Sequence, residues 1–400
     1  MPPPIGMADP SSFAHYTWKT RWRKVVQEVQ ADPRYGVEVG QRLDALLQEM
    51  ETGSVLASPD TYGSDLDAWQ RDLVPYRDRP WIELPWFFAE VYFFRRLLAA
   101  THYFHPDDDD YGLDPFAPSK VSSLEKHHLE LRSLVAAFAA LQEESWQTLL
   151  RAGFLRMLWG NQADLSLRPG EPLAIVQHDS IHHHLLVNQT EEAIAHLSQP
   201  PLHRVDLIAD NAGIELVGDL TWIDGMFTTN IAQTVHIHLK SHPTFVSDAT
   251  PADLDITLHH LAKDPDPDLP ALASRLQQAI ASKRLQVCAD PFWTAPRVFW
   301  AMPEALYQDL ATSDLLVFKG DAHYRRILGD RQWDTTANFG AIAHYLPAPS
   351  LVLRTLKSEL VVGLAPGRAE EIAAEDPDWQ TNGRWSVIQY LERNLEITSQ

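Results

Sequence analysis

The feature that most constrains the fold is a change in the hydrophobic pattern near residue 165. Before it, apolar residues recur at helical spacing, as in Trp18, Trp22 and Val25, and no segment alternates convincingly like a strand. After it, short β-type runs alternate with helical stretches. Strands that alternate with helices predict parallel βαβ units and a doubly wound sheet. We therefore predict a helical domain at residues 1–160 and an α/β domain at residues 161–400.

Five short segments carry the pattern of strands. They are residues 173–176, 205–209, 234–239, 314–319 and 350–354. Residues 244–246, just before Asp248, are also strand-like, and residues 1–16 are predicted to form a loosely attached arm. Residues 253–257 fit the nucleophile motif of haloacid-dehalogenase-type phosphatases, but that motif must end a buried strand. The residues before it instead predict a capped helix.

The composition limits the classes of partner. The chain has 54 Asp and Glu against 33 Lys and Arg, a formal net charge of -21. An acidic surface argues against a nucleic-acid partner and against an anionic membrane, but local cations can still bind an anionic small molecule. Cys288 is the one cysteine, so no internal disulfide or thiolate metal cluster forms. Residues 81–100 are too charged to cross a membrane, and no secretory signal is recognisable, so we expect a cytoplasmic protein.

Polar side chains follow the predicted strands at the point where each one ends. They are Asp210 and Asn211, Asp248, Asp321 with Tyr324 and Arg325, and Thr355 with Lys357. Because the carboxyl ends of parallel strands share one edge of a sheet, these side chains are expected to converge. Asp210, Asn211 and Asp248 offer oxygen ligands for Mg²⁺ or Mn²⁺, while Arg325 and Lys357 suit phosphate. The alternative is that each residue only caps a helix or a turn.

A histidine cluster is the other candidate metal site. His182, His183 and His184 are consecutive, with His178 and Asp179 nearby. Consecutive side chains point in different directions on a helix or a strand, so they are poor joint ligands for zinc. We therefore do not expect a metal site there.

Three motifs resemble the signatures of the damage-control phosphatases, a metal-dependent family long known as domain of unknown function eighty-nine. They are Asp-Asn-Ala-Gly-Ile-Glu at 210–215, Lys-Gly-Asp-Ala-His-Tyr-Arg at 319–325 and Arg-Thr-Leu-Lys at 354–357. The last resembles the third subfamily, the sugar-phosphate phosphatases. Weaker matches at residues 85–90, 158–166 and 376–379 extend the resemblance over nearly the whole chain, in the same order. Each motif is short, but the combination is specific.

The resemblance implies a fold, a cofactor and a reaction. The fold would be a three-layer α/β/α Rossmann-like domain with a helical N-terminal domain. A divalent metal (Mn²⁺, Co²⁺, Ni²⁺ or Mg²⁺) would bind to Asp210, Asn211 and Asp248, which with Asp321 form the implied catalytic set. The implied substrate contacts are Glu215, Asn161, Asp321, His323, Tyr324, Arg325 and Lys357. The expected reaction is hydrolysis of small phosphate monoesters such as fructose 1-phosphate or fructose 6-phosphate.

Two departures and two alternatives remain open. His323 and His178 stand where the family usually has Asn, which bears on the substrate more than on the reaction class. Some members of the subfamily have been described as methyltransferases for protein glutamate, which would need a site for S-adenosylmethionine; no Gly-rich methyltransferase loop follows the first α/β strand. A non-catalytic sugar-phosphate-binding protein is the other alternative. The general base, a covalent phospho-enzyme and the oligomeric state are left open.

Overall fold

A seven-stranded sheet lies at the centre of the computed structural model, which describes residues 1–56, 58–141, 144–159, 183–197 and 201–392. The strands are β1 (Leu185–Asn188), β2 (Leu202–Ile208), β3 (Ala232–His238), β4 (Leu285–Cys288), β5 (Leu315–Lys319), β6 (Ser350–Thr355) and β7 (Ser386–Leu391). Their spatial order is β1-β7-β6-β5-β2-β3-β4. All neighbours are parallel except β6 and β7, which are antiparallel.

Sixteen α-helices are found in the described residues. They are α1 (Phe13–Tyr16), α2 (Trp22–Gln30), α3 (Val37–Thr52), α4 (Leu66–Leu73), α5 (Trp86–Ala100), α6 (Ala117–Lys126), α7 (His128–Ala140), α8 (Trp146–Trp159), α9 (Thr190–His196), α10 (Ile214–Thr228), α11 (Pro251–Ala262), α12 (Asp268–Ala281), α13 (Glu304–Leu310), α14 (Gly320–Leu328), α15 (Phe339–Ala343) and α16 (Arg368–Glu375). A π-helical turn (Thr17–Arg21) joins α1 to α2. No helix in the described part of the chain is both long and apolar enough to span a membrane.

Helices cover both faces of the sheet, so the predicted α/β class is confirmed. On one face, α2, α3 and α5 pack in one hydrophobic cluster with Ile208 of β2 and Phe318 of β5. On the other face, α7, α8, α10, α11 and α12 pack with Val205 and Val317 of the same two strands. Alternate residues of each strand therefore enter opposite layers, as expected for a sheet buried on both faces. Each cluster contains residues from both sides of residue 160, and the domain boundary stays a prediction.

The prediction of a loose N-terminal arm is wrong. Residues 2–7, which we call the N-terminal strap, run between α5 and the end of α14. The Ile5 amide donates to the Asp330 carbonyl at 2.8 Å, and the Trp86 amide donates to the Ile5 carbonyl at 2.9 Å. Met7 is fully buried. Paired backbone groups and buried apolar side chains hold the strap against the core.

The strand predicted at residues 244–246 is also wrong. Phe245 and Val246 have φ values of 48° and 69°, in the left-handed region, and they form a tight turn. A β-branched residue rarely adopts this conformation, which costs about 1–3 kcal/mol and is found mostly at functional sites. The capped helix predicted near residue 253 is confirmed, because Thr250 and Asp253 form a capping box at the start of α11. The strand predicted at 173–176 lies outside the described residues.

Candidate active site

The ends of β2 and β5 bring Asp210 against Gly320. The two strands are neighbours, with Ile208 opposite Phe318, so the residues that follow them meet at the carboxyl edge. Gly320 has a φ of 86°, and a Cβ added there would overlap the Asp210 carboxylate. The glycine therefore has two roles: it supplies a left-handed backbone, and it leaves room for the carboxylate.

The turn after β3 brings Asp248 to the same place. Asn211 and Asp248 form an antiparallel bridge. The Ala249 amide donates to the Asp210 carbonyl at 2.8 Å, and the Ala212 amide donates to the Ser247 carbonyl at 2.7 Å. Backbone hydrogen bonds thus fix Asp248 beside Asp210 and Asn211, and the left-handed turn at residues 245–246 directs the chain there.

The Asn211 amide is oriented by three hydrogen bonds. Its Nδ2 donates to Asp210 Oδ2 at 3.1 Å and to Glu215 Oε2 at 2.9 Å. Ser247 Oγ donates to Asn211 Oδ1 at 2.6 Å. Glu215 lies in the first turn of α10, one turn on from Asn211. The side chains of three predicted site residues, Asp210, Asn211 and Glu215, are therefore in direct contact.

Cations neutralise all but one of the buried carboxylates at this edge. Lys240 Nζ lies 3.1 Å from Asp248 Oδ2. Lys319 Nζ lies 3.0 Å from Glu215 Oε1 and donates to Asp219 Oδ1 at 2.6 Å. Asp210 forms no ion pair with a residue that the structure describes. Because a buried, unpaired negative charge is unfavourable, a further cation would be stabilising beside Asp210.

Burial is the largest influence on the pKa values of these carboxyls. Burial, reinforced by the charges of Asp248 and Glu215, raises the pKa of Asp210 well above its usual value. Burial also raises the pKa of Asp248, and it raises that of Asp219 to about 7. Burial opposes ionisation of Glu215 as well, but the ammonium groups of Lys319 and Lys357 lower its pKa overall. A cation near Asp210 would favour its charged form.

A cavity of about 40 Å³ opens at this edge of the sheet. It is lined by Met157, Leu158, Asp210, Asn211, Glu215, Lys319, Gly320, Asp321, Leu353, Thr355 and Lys357. This volume exceeds what one water molecule requires. Lys357 is exposed, and its ammonium forms no ion pair with any described residue. The cavity therefore combines an unneutralised carboxylate with a free cation.

Asp321 faces the cavity but is already hydrogen-bonded. Its Oδ1 accepts from Arg354 Nε at 2.8 Å and from Ser358 Oγ at 2.9 Å. Burial opposes its ionisation, but the charges of Arg354 and Arg325 lower the pKa of this carboxyl. Asp321 is thus held as a carboxylate in a fixed orientation.

Three of the predicted substrate contacts do not line the cavity, namely His323, Tyr324 and Arg325. Arg325 donates to Asp330 and to Glu90 and lies 3.6 Å above the centre of the Trp86 ring. The hydroxyl of Tyr324 accepts from the Val362 amide. His323 is almost completely buried, and its Nε2 lies 2.8 Å from Lys240 Nζ. Asn161 and His178 lie outside the described residues.

A second acidic cluster joins β2 and β3 to α13 and extends from the buried Asp206 to the exposed Asp309. Ligand atoms of Asp206, His236 and Asp309 lie within 4.8 Å of one another, a spacing that suits a metal ion. Arg204, however, donates two hydrogen bonds to Asp206, both at 2.7 Å, and two more to Asp309. The guanidinium already supplies a positive charge to both carboxylates. This is the reason we favour the Asp210 edge for a metal.

Lys240 is a site residue that no motif in the sequence indicated. It lies two residues after the end of β3, where the rule that sites form at the carboxyl edge could have found it. Lys319 and Arg354 stood within the quoted motifs, but only the structure shows that they bind Glu215 and Asp321. Such pairing depends on side-chain geometry across strands that are distant in sequence.

Comparison with known proteins gives a consistent family match. A model described as the damage-control phosphatase ARMT1-like domain matches residues 16–372. The chain is 32% identical over 435 residues to damage-control phosphatase ARMT1 of Rattus norvegicus, covering 96% of this chain and 98% of the relative. The Danio rerio protein of that name is 32% identical over 385 residues, covering 88% and 85%. A solved structure of a DUF89 family protein from Pyrococcus horikoshii aligns with a TM-score of 0.47 and 12% identity, covering 95% of this chain and 97% of that one.

Proposed function

Because the chain belongs to the damage-control phosphatase ARMT1-like family, we propose that it is a metal-dependent phosphatase of small phosphate monoesters. The observation that carries this proposal is the composition of the cavity edge. Asp210 is buried beside the carboxylates of Asp248 and Glu215, and Asp210 has no ion-pair partner among the described residues. The ammonium of Lys357, at the same cavity, forms no ion pair with a described residue either. The first arrangement suits a divalent cation, and the second suits a phosphate anion.

The residues present fit a hard divalent metal ion. Asp210, Asn211 and Asp248 would hold it through carboxylate and amide oxygens, which suit Mg²⁺ and Mn²⁺ and which Co²⁺ and Ni²⁺ also accept. Asn211 Oδ1 accepts one hydrogen bond, from Ser247, and keeps a second lone pair. A metal bound there would polarise a phosphoryl oxygen and acidify a water molecule.

The remaining residues would bind and orient the substrate. Lys357 would neutralise charge on the phosphoryl oxygens, since its ammonium has no competing partner among the described residues. Asp321, fixed by Arg354 and Ser358, would accept a hydrogen bond from a substrate hydroxyl. Carboxylates that accept from hydroxyls suit a polyol, so we propose sugar phosphates such as fructose 1-phosphate or fructose 6-phosphate as the substrate class.

Phosphate release from a substrate panel tests this function. The full-length protein is stripped with a chelator, reloaded with Mn²⁺, Co²⁺, Ni²⁺ or Mg²⁺, and incubated with phosphosugars. We expect release from the wild type and loss of about a hundredfold or more in Asp248→Ala. Asp309→Ala is the control, because it alters the other acidic cluster and should retain activity. No release with any of the metals would refute the proposal.

A further inference from the structure

The ammonium of Lys240 lies between a proposed metal ligand and a buried histidine. Lys240 Nζ is 3.1 Å from Asp248 Oδ2 and 2.8 Å from His323 Nε2. All three side chains are almost completely buried. A protonated lysine has three donors and no acceptor, so His323 Nε2 is the acceptor in this contact.

The two contacts of this ammonium differ in quality. The one to His323 has hydrogen-bond geometry, whereas no donor in the described residues is aligned with Asp248 Oδ2. The backbone adds rigidity, because the Lys240 amide donates to the Ala249 carbonyl at 2.9 Å. The backbones of Lys240 and Asp248 are thus held close together, and the ammonium at the end of the lysine side chain lies between its two neighbours.

The surrounding groups leave Lys240 as the cation closest to Asp248. Arg326 also lies near this carboxylate, but its guanidinium donates to backbone carbonyls, among them that of Phe292. Trp293 packs edge-on against His323. A packed aromatic ring restricts the imidazole, so the acceptor for Lys240 is fixed in place.

We propose that Lys240 is a positioning residue that neutralises Asp248 before metal binds, and that His323 holds the ammonium when the metal takes its place. The inference rests on the proposed function, in which Asp248 is a metal ligand. An ammonium and a dication on one carboxylate repel each other, so the metal binds more easily if the ammonium has another partner. His323 supplies that partner at a position where this chain departs from the Asn expected from its motif.

Metal titration of three variants tests the proposal. Chelator-stripped, full-length protein is titrated with Mn²⁺ by calorimetry. Lys240→Met removes the competing charge and should tighten binding by about tenfold or more, while lowering the thermal stability of the metal-free protein. His323→Leu removes the acceptor and should weaken binding. The double variant should behave like Lys240→Met, because without the ammonium His323 has nothing to hold.

The test has a matched control, and the two single variants should change Mn²⁺ affinity in opposite directions. Lys120→Met removes another buried ammonium, which pairs with Asp114 and Asp253 and acts on Asp248 only through its charge. It should change Mn²⁺ affinity much less than Lys240→Met does. If Lys240→Met and His323→Leu both weaken binding, the two residues are merely structural and the inference is wrong. If Lys240→Met does not fold, the His323→Leu variant still tests the inference, and an unchanged Mn²⁺ affinity in that variant would overturn it. If the wild type binds no metal, the proposed function fails as well.

Discussion

At the residue scale, Gly320 is the position where the smallest change should have the largest effect on the site. Its φ of 86° and the overlap of an added Cβ with the Asp210 carboxylate both require glycine. Gly367 has nearly the same φ, 83°, but an added Cβ there meets nothing within 4 Å. The two glycines therefore separate the cost of a strained backbone from the cost of displacing a site carboxylate.

We expect Gly320→Ala to lower kcat for phosphate release by about a hundredfold, because Asp210 must move. Gly367→Ala should lose about 1–2 kcal/mol of stability through its left-handed backbone, with unchanged kcat. Steady-state kinetics and urea unfolding of both variants provide the comparison. Normal kcat in Gly320→Ala would contradict the position assigned to Asp210.

His242 should make the stability of the protein depend on pH. Its imidazole is buried, and its Nε2 has no hydrogen-bond partner in the part of the chain that the structure describes. Burial lowers its pKa from 6.5 to about 4. Between these values the unfolded chain binds a proton that the folded protein does not, so stability decreases as the pH falls from about 6.5 toward 4. The folded protein is therefore more stable with His242 in its neutral form.

We expect the free energy of unfolding to fall by about 1 kcal/mol from this residue alone between about pH 7.5 and 5.5. Urea titrations of the wild type and of His242→Phe at both pH values isolate the effect. The variant should lose that part of the pH dependence. Equal pH dependence in both proteins would show that His242 does not titrate as described.

At the scale of elements, the sequence predicted the strands that form the site but not β1, β4 or β7. β2, β5 and β6 contain apolar runs followed by polar residues, and β3 alternates with β-branched residues, so all four have a recognisable pattern. β1 and β4 have only four residues each, and β7 runs antiparallel to β6. Short edge strands carry little hydrophobic pattern, because only part of each is buried.

The residues of the candidate site were likewise predictable only in part. Asp210 and Asn211 follow a strand in both sequence and structure, so local pattern was sufficient for them. Asp248 was predicted because it follows a strand-like segment, and that segment proved to be a turn. Val246 is typical of strands, and only its surroundings explain its left-handed backbone. The Lys240 contacts join β3 to α14, and no local pattern reveals them.

The N-terminal strap should contribute measurably to stability. It buries Ile5 and Met7 and pairs its backbone with Asp330 and Trp86. Removing residues 1–7 should lower the free energy of unfolding by about 3 kcal/mol or more, from the two apolar side chains alone. Urea unfolding monitored by tryptophan fluorescence measures this change. An unchanged midpoint would show that the strap is not part of the folded core.

At the scale of the whole molecule, the helices before residue 160 share their core with the sheet. One hydrophobic cluster joins Trp22 and Phe93 to Phe318, and the other joins Phe154 to Trp222 and Val317. Neither cluster divides at the predicted domain boundary. The two halves should therefore depend on each other for stability.

We expect a single cooperative transition in differential scanning calorimetry of the metal-free protein. Its calorimetric and van't Hoff enthalpies should agree, as for one folding unit. Urea unfolding followed by circular dichroism and by tryptophan fluorescence should give coincident curves. Two resolved transitions would instead support independent domains on either side of residue 160.

The location of a bound metal ion tests the central claim most directly. The chain offers two acidic clusters, one at the carboxyl edge of the sheet and one around Asp206, where Arg204 already neutralises the carboxylates. An anomalous difference map from crystals grown with Mn²⁺ distinguishes them. We predict a peak coordinated by Asp210, Asn211 and Asp248. A peak between Asp206, His236 and Asp309, with none at the Asp210 edge, would contradict the account.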